Sequence, residues 1–211
     1  MSKQIPRNEE IYVAPQMLGK YEDGTPVVID KKNNNERLDP TNIEHKIKIY
    51  EREVNEWFLV PATRLLEQDN FNYSFIVLMV CMSYLEGVEQ YKTGIESNRR
   101  SKECFVDSVK RLYPDKFQDG YLNKLYTKSR CGLFHNGMVK GGVIFDNSYA
   151  ETIEFQNNGE TIKINPRNLL SDIKEDFNNY IRELKALNIS ESNERLRVLR
   201  ENFDRMFSVL E

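Results

Sequence analysis

The sequence has few of the residues that build metal centres and disulfide frameworks. It contains three cysteines and two histidines in 211 residues, and Cys81, Cys104 and Cys131 lie far apart, with no C-x-x-C pair. A zinc site with the usual ligand spacing is therefore not expected. An odd, sparse set of cysteines is typical of a reducing compartment. Glycine-rich phosphate loops and metal-binding signatures are also missing, so we expect neither a metal nor a cofactor.

Long hydrophobic runs are missing as well. The longest strongly apolar stretch, Phe75 to Leu85, is too short to span a bilayer, which takes about 20 residues of helix. The first ten residues are polar and lack the apolar core of a signal peptide. These two observations predict a cytoplasmic protein without membrane contact.

Excess charge of one sign is absent too. The net charge is -3, so no global attraction to nucleic acid is expected and any such contact must use a local basic patch. Hydrophobic residues make up 39% and charged residues 30%, which is ordinary for a folded chain with a sizeable core. The length favours one domain with appendages.

Hydrophobic periodicity predicts a mainly α fold. Residues 1–40 are expected to be irregular, with possible short strands at 11–13 and 26–29. A helical domain over 41–211 follows, beginning with a capping box at Thr41 to Glu44. The predicted helices that come next span about 70–92, 101–112 and 119–136.

The second part of this domain contains a change of pattern. A small β-hairpin is predicted at about 141–165, with its turn at Asn157-Asn158-Gly159. Two C-terminal helices are predicted at about 166–187 and 190–209, the latter capped by Ser190. The predicted fold is thus a helical bundle with a small β-hairpin insertion.

The segment most indicative of function lies at the end of the predicted helix 119–136. It reads R-C-G-L-F-H-N-G and places Arg130 five residues before His135. A neutral imidazole exchanges protons near pH 7, and a guanidinium holds an anion with a rigid fork of donors. Together they indicate chemistry on, or binding of, a phosphate.

An R-x4-H motif late in a helix of such a bundle resembles the HEPN superfamily. The resemblance covers roughly residues 42–187, and it includes acidic groups such as Glu86 at the end of the central apolar helix. It implies a HEPN-like helical bundle, a homodimer and a metal-independent ribonuclease. Catalytic members often carry Asn, Asp or His after the arginine, where this chain has Cys131.

In such a nuclease the ribose 2′-OH attacks the adjacent phosphate, which requires a base, an acid and a cation for the phosphorane charge. His135 is the candidate for proton transfer and Arg130 for phosphate binding, with Glu86 and Asn136 in support. One histidine cannot be base and acid in the same step, and His45 is the only other one. A two-fold dimer would supply a second His135.

Structural explanations of the same residues remain open. Five residues advance a helix by about 500°, so Arg130 and His135 start about 140° apart unless Gly132 allows a bend. Arg130 could simply complement the helix dipole, and His135 to Gly137 could simply be the helix cap. Glu86 could face solvent or pair with Lys92.

The region between Arg99 and Arg130 is locally basic and contains several tyrosines. Lys124, Lys128 and Tyr126 are candidates for RNA binding, because cations track a backbone and aromatic rings stack on bases. The alternative is a solvated face above core aromatics.

Two functions follow from the sequence. The first is an endoribonuclease that cleaves RNA as a homodimer, such as a toxin or defence effector. The second is a non-catalytic dimerisation module that binds RNA or a protein partner such as an antitoxin.

Overall fold

The computed structural model describes residues 9–68, 70–186 and 193–210. It divides the chain into two compact units. Unit 1 comprises Met1–Val60 and Asn179–Glu211, and unit 2 comprises Pro61–Asn178.

Helices account for most of the described chain. They are α1 (Ile43–Val54), α2 (Val60–Glu67), α3 (Phe71–Thr93), α4 (Ser101–Leu112), α5 (Asp119–Leu125), α6 (Cys131–Asn136), α7 (Pro166–Lys185) and α8 (Glu194–Met206), with π-helical turns at Asn55–Leu59 and Tyr126–Arg130. The predicted helices at 70–92, 101–112 and 119–136 are confirmed to within a residue or two at each end.

Seven strands are present among the described residues. They are β1 (Ile11–Ala14), β2 (Met17–Glu22), β3 (Thr25–Asp30), β4 (Glu36–Leu38), β5 (Val143–Phe145), β6 (Ile153–Gln156) and β7 (Thr161–Ile164). They form one sheet in each unit.

Unit 1 begins with an antiparallel sheet in the order β1-β2-β3-β4. Asp23 and Gly24, both with positive φ, make the two-residue turn between β2 and β3. The predicted strands at 11–13 and 26–29 are confirmed as β1 and β3, but β2 and β4 were not expected. Residues 11–38 are therefore an ordered sheet rather than an irregular segment.

The helices of unit 1 pack around Tyr50 of α1. Its ring lies 5.3 Å from that of Phe203 and 5.1 Å from that of Phe207. The predicted capping box is wrong in its position, since Asn42 caps α1 by accepting the Glu44 and His45 amides. Ser190, the expected cap of the last helix, lies outside the described residues.

In unit 2, α3 is the central helix. Its buried apolar residues lie on successive turns of the helix and are Val77, Leu78, Cys81, Met82, Leu85 and Val88. Gly94 ends the helix in the left-handed conformation with φ 68°.

The second sheet is larger than the predicted hairpin. Strands β6 and β7 form the expected antiparallel pair, with Ile153 opposite Ile164, around a turn at Asn157–Gly159. Strand β5 then pairs in parallel with β7, which gives a three-stranded mixed sheet in the order β5-β7-β6.

The prediction of a mainly α, HEPN-like helical bundle with a hairpin insertion is wrong. The two sheets make this a mixed α/β protein. Part of the error has a physical cause, since a three-residue strand such as β4 carries almost no periodic signal and is fixed by its pairing with another strand.

Candidate functional site

The Arg130–His135 motif lies at the end of one helical segment in unit 2. This segment runs through α5, the π-helical turn Tyr126–Arg130 and α6, and ends where Gly137 adopts φ 68°. Only glycine takes this left-handed conformation readily, so Gly137 fixes the helix end two residues after His135.

Gly132 has a different role from the expected bend. A Cβ atom built there would lie 2.7 Å from the Met138 carbonyl oxygen and 3.0 Å from the Lys140 amide nitrogen. The chain after α6 folds back against the helix, and the Lys140 amide donates to the Lys128 carbonyl at 2.9 Å. Gly132 therefore permits the close return of residues 138–140.

Glu86 and Arg130 are brought together. Glu86 of α3 is 8% exposed, and its Oε2 lies 2.6 Å from Nε of Arg130. These two atoms form an ion pair, but their alignment does not meet hydrogen-bond geometry for either atom. The contact therefore holds the guanidinium by attraction between opposite charges rather than by an aligned hydrogen bond. We call it the motif pair.

Two aromatic rings complete the surroundings of Arg130. Its Cζ lies 5.0 Å from the ring centre of Phe134 and 5.8 Å from that of Tyr126. Both distances are typical of cation–π contact. No described hydrogen bond uses the terminal guanidinium nitrogens, so the fork of Arg130 is available to a ligand.

His135 is exposed, in contrast to Arg130, whose side chain is only 18% exposed. No hydrogen bond or ion pair joins its imidazole to another residue that the structure describes. Within a single chain, no described hydrogen bond joins the two motif side chains, in keeping with the angular offset between them. The side chain of Asn136 lies outside the described part.

Tyr126 is part of the packing beneath the motif. Its ring lies 5.5 Å from that of Phe105. Burial, followed by the hydrogen bond with Cys131, raises the pKa of Tyr126 to about 12. The phenol is therefore uncharged at neutral pH and is not a candidate base.

Lys124 and Lys128 both bind the β6–β7 turn. Nζ of Lys124 lies 2.7 Å from Oε1 of Glu160, and Nζ of Lys128 lies 3.2 Å from Oε2 of the same residue. Lys128 also donates to the Glu160 carbonyl at 2.9 Å. The two lysines proposed to bind RNA thus share a carboxylate that offsets one of their charges.

The basic region as a whole is largely neutralised. Of the nine Lys and Arg residues from Arg99 to Arg130, seven form ion pairs with described carboxylates. The pairs are Arg100–Glu103, Lys110–Asp119, Arg111 with Glu89 and Asp176, Lys116–Glu151, Lys124–Glu160, Lys128–Glu160 and Arg130–Glu86. This pattern favours the interpretation of a solvated face with satisfied charges over a continuous RNA-binding patch.

Unit 2 contains a second charged cluster, which was not expected from the sequence. Asp176 of α7 accepts from Tyr84 at 2.8 Å and from Lys92 at 3.0 Å, and it also pairs with Arg111. Arg111 binds Glu89 at 3.0 Å. We call these five residues the Asp176 cluster.

The carboxylates of the cluster are nearly enclosed, whereas the Arg111 side chain is 30% exposed. The side chains of Asp176 and Glu89 are each 9% exposed. Burial alone would raise the pKa of Asp176, but Lys92 and Arg111 outweigh it and hold this pKa below its usual value. The sequence feature that could have indicated this cluster is Asp176 itself, an acidic residue at helical spacing within the apolar stripe of α7 and next to Phe177.

His45, the other histidine, is in unit 1. Its Nδ1 accepts the Asp39 amide at 2.9 Å. This bond places the proton of the neutral ring on Nε2. His45 lines an open cleft of about 490 Å³ together with residues of β3 and β4.

The described helices include none that is both long and apolar enough to cross a membrane. Across the described residues, no group of three or more His, Cys, Asp or Glu side chains is arranged to hold a metal ion. Comparison of the chain with protein-family models, curated proteins and solved structures gives no match in any of the three. The resemblance to the HEPN superfamily stays a prediction that rests on the motif.

Proposed function

We propose that this protein is a metal-independent endoribonuclease of the R-x4-H type, acting as a homodimer in the cytoplasm. The observation that carries the proposal is the set of contacts made by the Arg130 guanidinium. Glu86 and two rings hold its guanidinium through Nε and its face, while the terminal nitrogens have no described protein partner. Such an anchored fork is suited to a phosphate.

The proposed reaction is attack of the ribose 2′-oxygen on the adjacent phosphorus. The P–O2′ bond forms and the P–O5′ bond breaks, which leaves a 2′,3′-cyclic phosphate and a 5′-hydroxyl. A base takes the proton of the 2′-OH, an acid protonates the leaving 5′-oxygen, and Arg130 offsets the charge of the phosphorane. His135 is exposed at the helix end and is the proton-transfer group.

The homodimer follows from this chemistry, because two proton-transfer groups are required and each chain supplies one His135. Phe134 and Met138, which flank His135, are 42% and 62% exposed. Exposed large apolar side chains around a polar group are typical of an association surface. We expect light scattering at micromolar concentration to give the mass of a dimer, and a monomer at all concentrations would contradict the composite site.

The catalytic test is RNA cleavage by His135→Ala and Arg130→Ala variants. Each should lower the rate by roughly two to four orders of magnitude, the scale of losing an acid–base or charge-stabilising group. Cleavage should persist in EDTA and yield cyclic phosphate ends. The matched control is His45→Ala, which removes the other histidine and should cleave at the wild-type rate.

Unchanged cleavage by His135→Ala would refute this mechanism, and so would cleavage that only a chelator abolishes. Circular dichroism should show that the His135→Ala variant is folded, since this side chain has no described hydrogen bond or ion pair to lose.

A second candidate function is a non-catalytic module that dimerises and binds a protein partner, such as the antitoxin of a toxin pair. The ion pairing of seven of the nine cations between Arg99 and Arg130 favours it, because a paired lysine contributes less to RNA binding. Cys131, in place of the polar residue common in catalytic relatives, favours it too. A wild-type dimer that cleaves none of a varied set of RNAs would support this function.

A further inference from the structure

Unit 2 contains a cleft of about 230 Å³ between α2 and α7, away from the motif in sequence. Its polar lining comes from Thr63 and Glu67 of α2 and from Arg167, Ser171 and Lys174 of α7. Leu66 and Leu170 form its apolar part.

The three α7 residues occupy positions i, i+4 and i+7. This spacing places them on one face of the helix, one above the other. A guanidinium, a hydroxyl and an ammonium group therefore line the same side of the cleft.

The two cations in the cleft differ from the paired cations between Arg99 and Arg130. Neither Arg167 nor Lys174 forms an ion pair with any carboxylate in the described part of the chain. Lys174 donates to the neutral Thr63 hydroxyl at 3.2 Å, and Arg167 donates to the Leu66 carbonyl at 3.4 Å. Both bonds are long, and most of the donors on the two side chains remain for a ligand.

Glu67 is the one carboxylate in the lining. It reduces the formal charge of the cleft from +2 to +1 without pairing with either cation. The cleft therefore keeps a net positive charge in a protein of net charge -3.

From these contacts we propose that the α2–α7 cleft binds a phosphate group. The Arg167 fork and the Lys174 point charge supply charge-assisted bonds, and the Ser171 hydroxyl supplies a further donor. The same chemistry fits a phosphate of a small molecule and a phosphate of an RNA backbone. The site stands independently of the proposed ribonuclease activity.

The experiment titrates the full chain, followed by NMR, with inorganic phosphate and separately with a short single-stranded RNA carrying 2′-O-methyl groups. This RNA cannot be cleaved by 2′-oxygen attack, so binding is measured apart from catalysis. We expect saturable binding of at least one probe. Arg167→Gln and Lys174→Gln should each weaken it roughly tenfold, because each removes charge-assisted bonds.

Two further variants sharpen the test. Lys116→Gln removes an exposed lysine of unit 2 that is paired with Glu151 at 2.7 Å, and it should bind like the wild type. Glu67→Gln should bind more tightly, because it removes the negative charge from the lining; a gain of affinity cannot arise from misfolding.

Binding of inorganic phosphate alone would assign the cleft to small phosphate compounds, and binding of the RNA alone would assign it to a nucleic-acid backbone. The proposal is overturned if neither probe saturates, or if Arg167→Gln and Lys174→Gln both bind like the wild type. An equal loss in Lys116→Gln would also overturn it, since the effect would then be one of overall charge.

Discussion

The motif pair and the Asp176 cluster both include acidic side chains of α3, three residues apart, yet they use their charges differently. Asp176 accepts from a tyrosine, a lysine and an arginine, and Arg111 divides its donors between Asp176 and Glu89. Glu86 has Arg130 as its single described ion-pair partner, and the two facing atoms are not aligned for a hydrogen bond.

The difference separates a structural cluster from a candidate functional one. Carboxylates and cations that are buried together stabilise a fold only when their hydrogen bonds are satisfied, as in the Asp176 cluster. A pair with unused donors contributes less to stability and leaves groups for a ligand.

Asp176→Asn should have the largest effect on stability. It keeps the shape of the side chain but removes the negative charge that the largely buried Lys92 and the partly exposed Arg111 share. We expect the free energy of unfolding to fall by about 3 to 5 kcal/mol, the cost of breaking a buried ion pair from one side. Urea unfolding followed by circular dichroism measures it.

The control for this variant is Glu175→Gln, at the neighbouring exposed position of α7. It should unfold at the wild-type urea concentration. A loss under about 1 kcal/mol in Asp176→Asn would show that the cluster is solvated and would remove the contrast with the motif pair.

Glu86→Gln should have a smaller effect on stability and a larger one on function. It leaves the largely buried Arg130 guanidinium without an anion, which costs about 2 to 3 kcal/mol. If Arg130 binds the scissile phosphate, its displacement should also lower the cleavage rate by roughly a hundredfold. The matched control is Glu103→Gln, which breaks an exposed Arg–Glu pair and should change neither quantity.

A result in which Glu86→Gln loses as much stability as Asp176→Asn, with cleavage unchanged, would make the motif pair a second structural pair. If Glu86→Gln keeps its stability but loses cleavage, Glu86 is the residue that positions Arg130.

Gly132→Ala should have the smallest of the three effects. The added Cβ meets backbone atoms of Met138 and Lys140, and relief requires the surface segment 138–140 to move. We expect a loss of about 1 to 2 kcal/mol, in the lower part of the range for overpacking. Thermal unfolding measures the change.

The same substitution at Gly120 of α5 is its control, because a Cβ there meets no atom within 4 Å. Gly120→Ala should raise the free energy of unfolding slightly, since alanine is the better helix former. A Gly132→Ala variant that is more stable than the wild type would mean that residues 138–140 do not pack against α6.

Local sequence signals predicted the helices of unit 2 well. The helix that contains the apolar stretch Phe75 to Leu85 and the helical segment over 119–136 were predicted, because spacing and capping act within a few residues. Strands β2 and β4 were missed, because β2 contains Gly19 and Lys20 and lacks clear alternation and β4 has only three residues. The parallel pairing of β5 with a strand almost twenty residues later was not expected either.

The candidate site was predicted in part. The motif residues were selected from the sequence, and Glu86 was selected as a supporting residue. The partners of Lys124 and Lys128 were not foreseen, because Glu160 lies more than thirty residues away and reaches them only through the β6–β7 turn.

The sequence by itself determined the helices, the turn residues and the R-x4-H spacing, since these depend on backbone preferences within a few residues. The tertiary structure decided which charges are shared. It alone showed that Arg130 lies against Glu86 and that Asp176 pairs with both Lys92 and Arg111. It also showed that Arg167 and Lys174 have no carboxylate partner among the described residues. Ion pairing depends on distances of a few ångströms between residues far apart in the chain, and no local pattern fixes these distances.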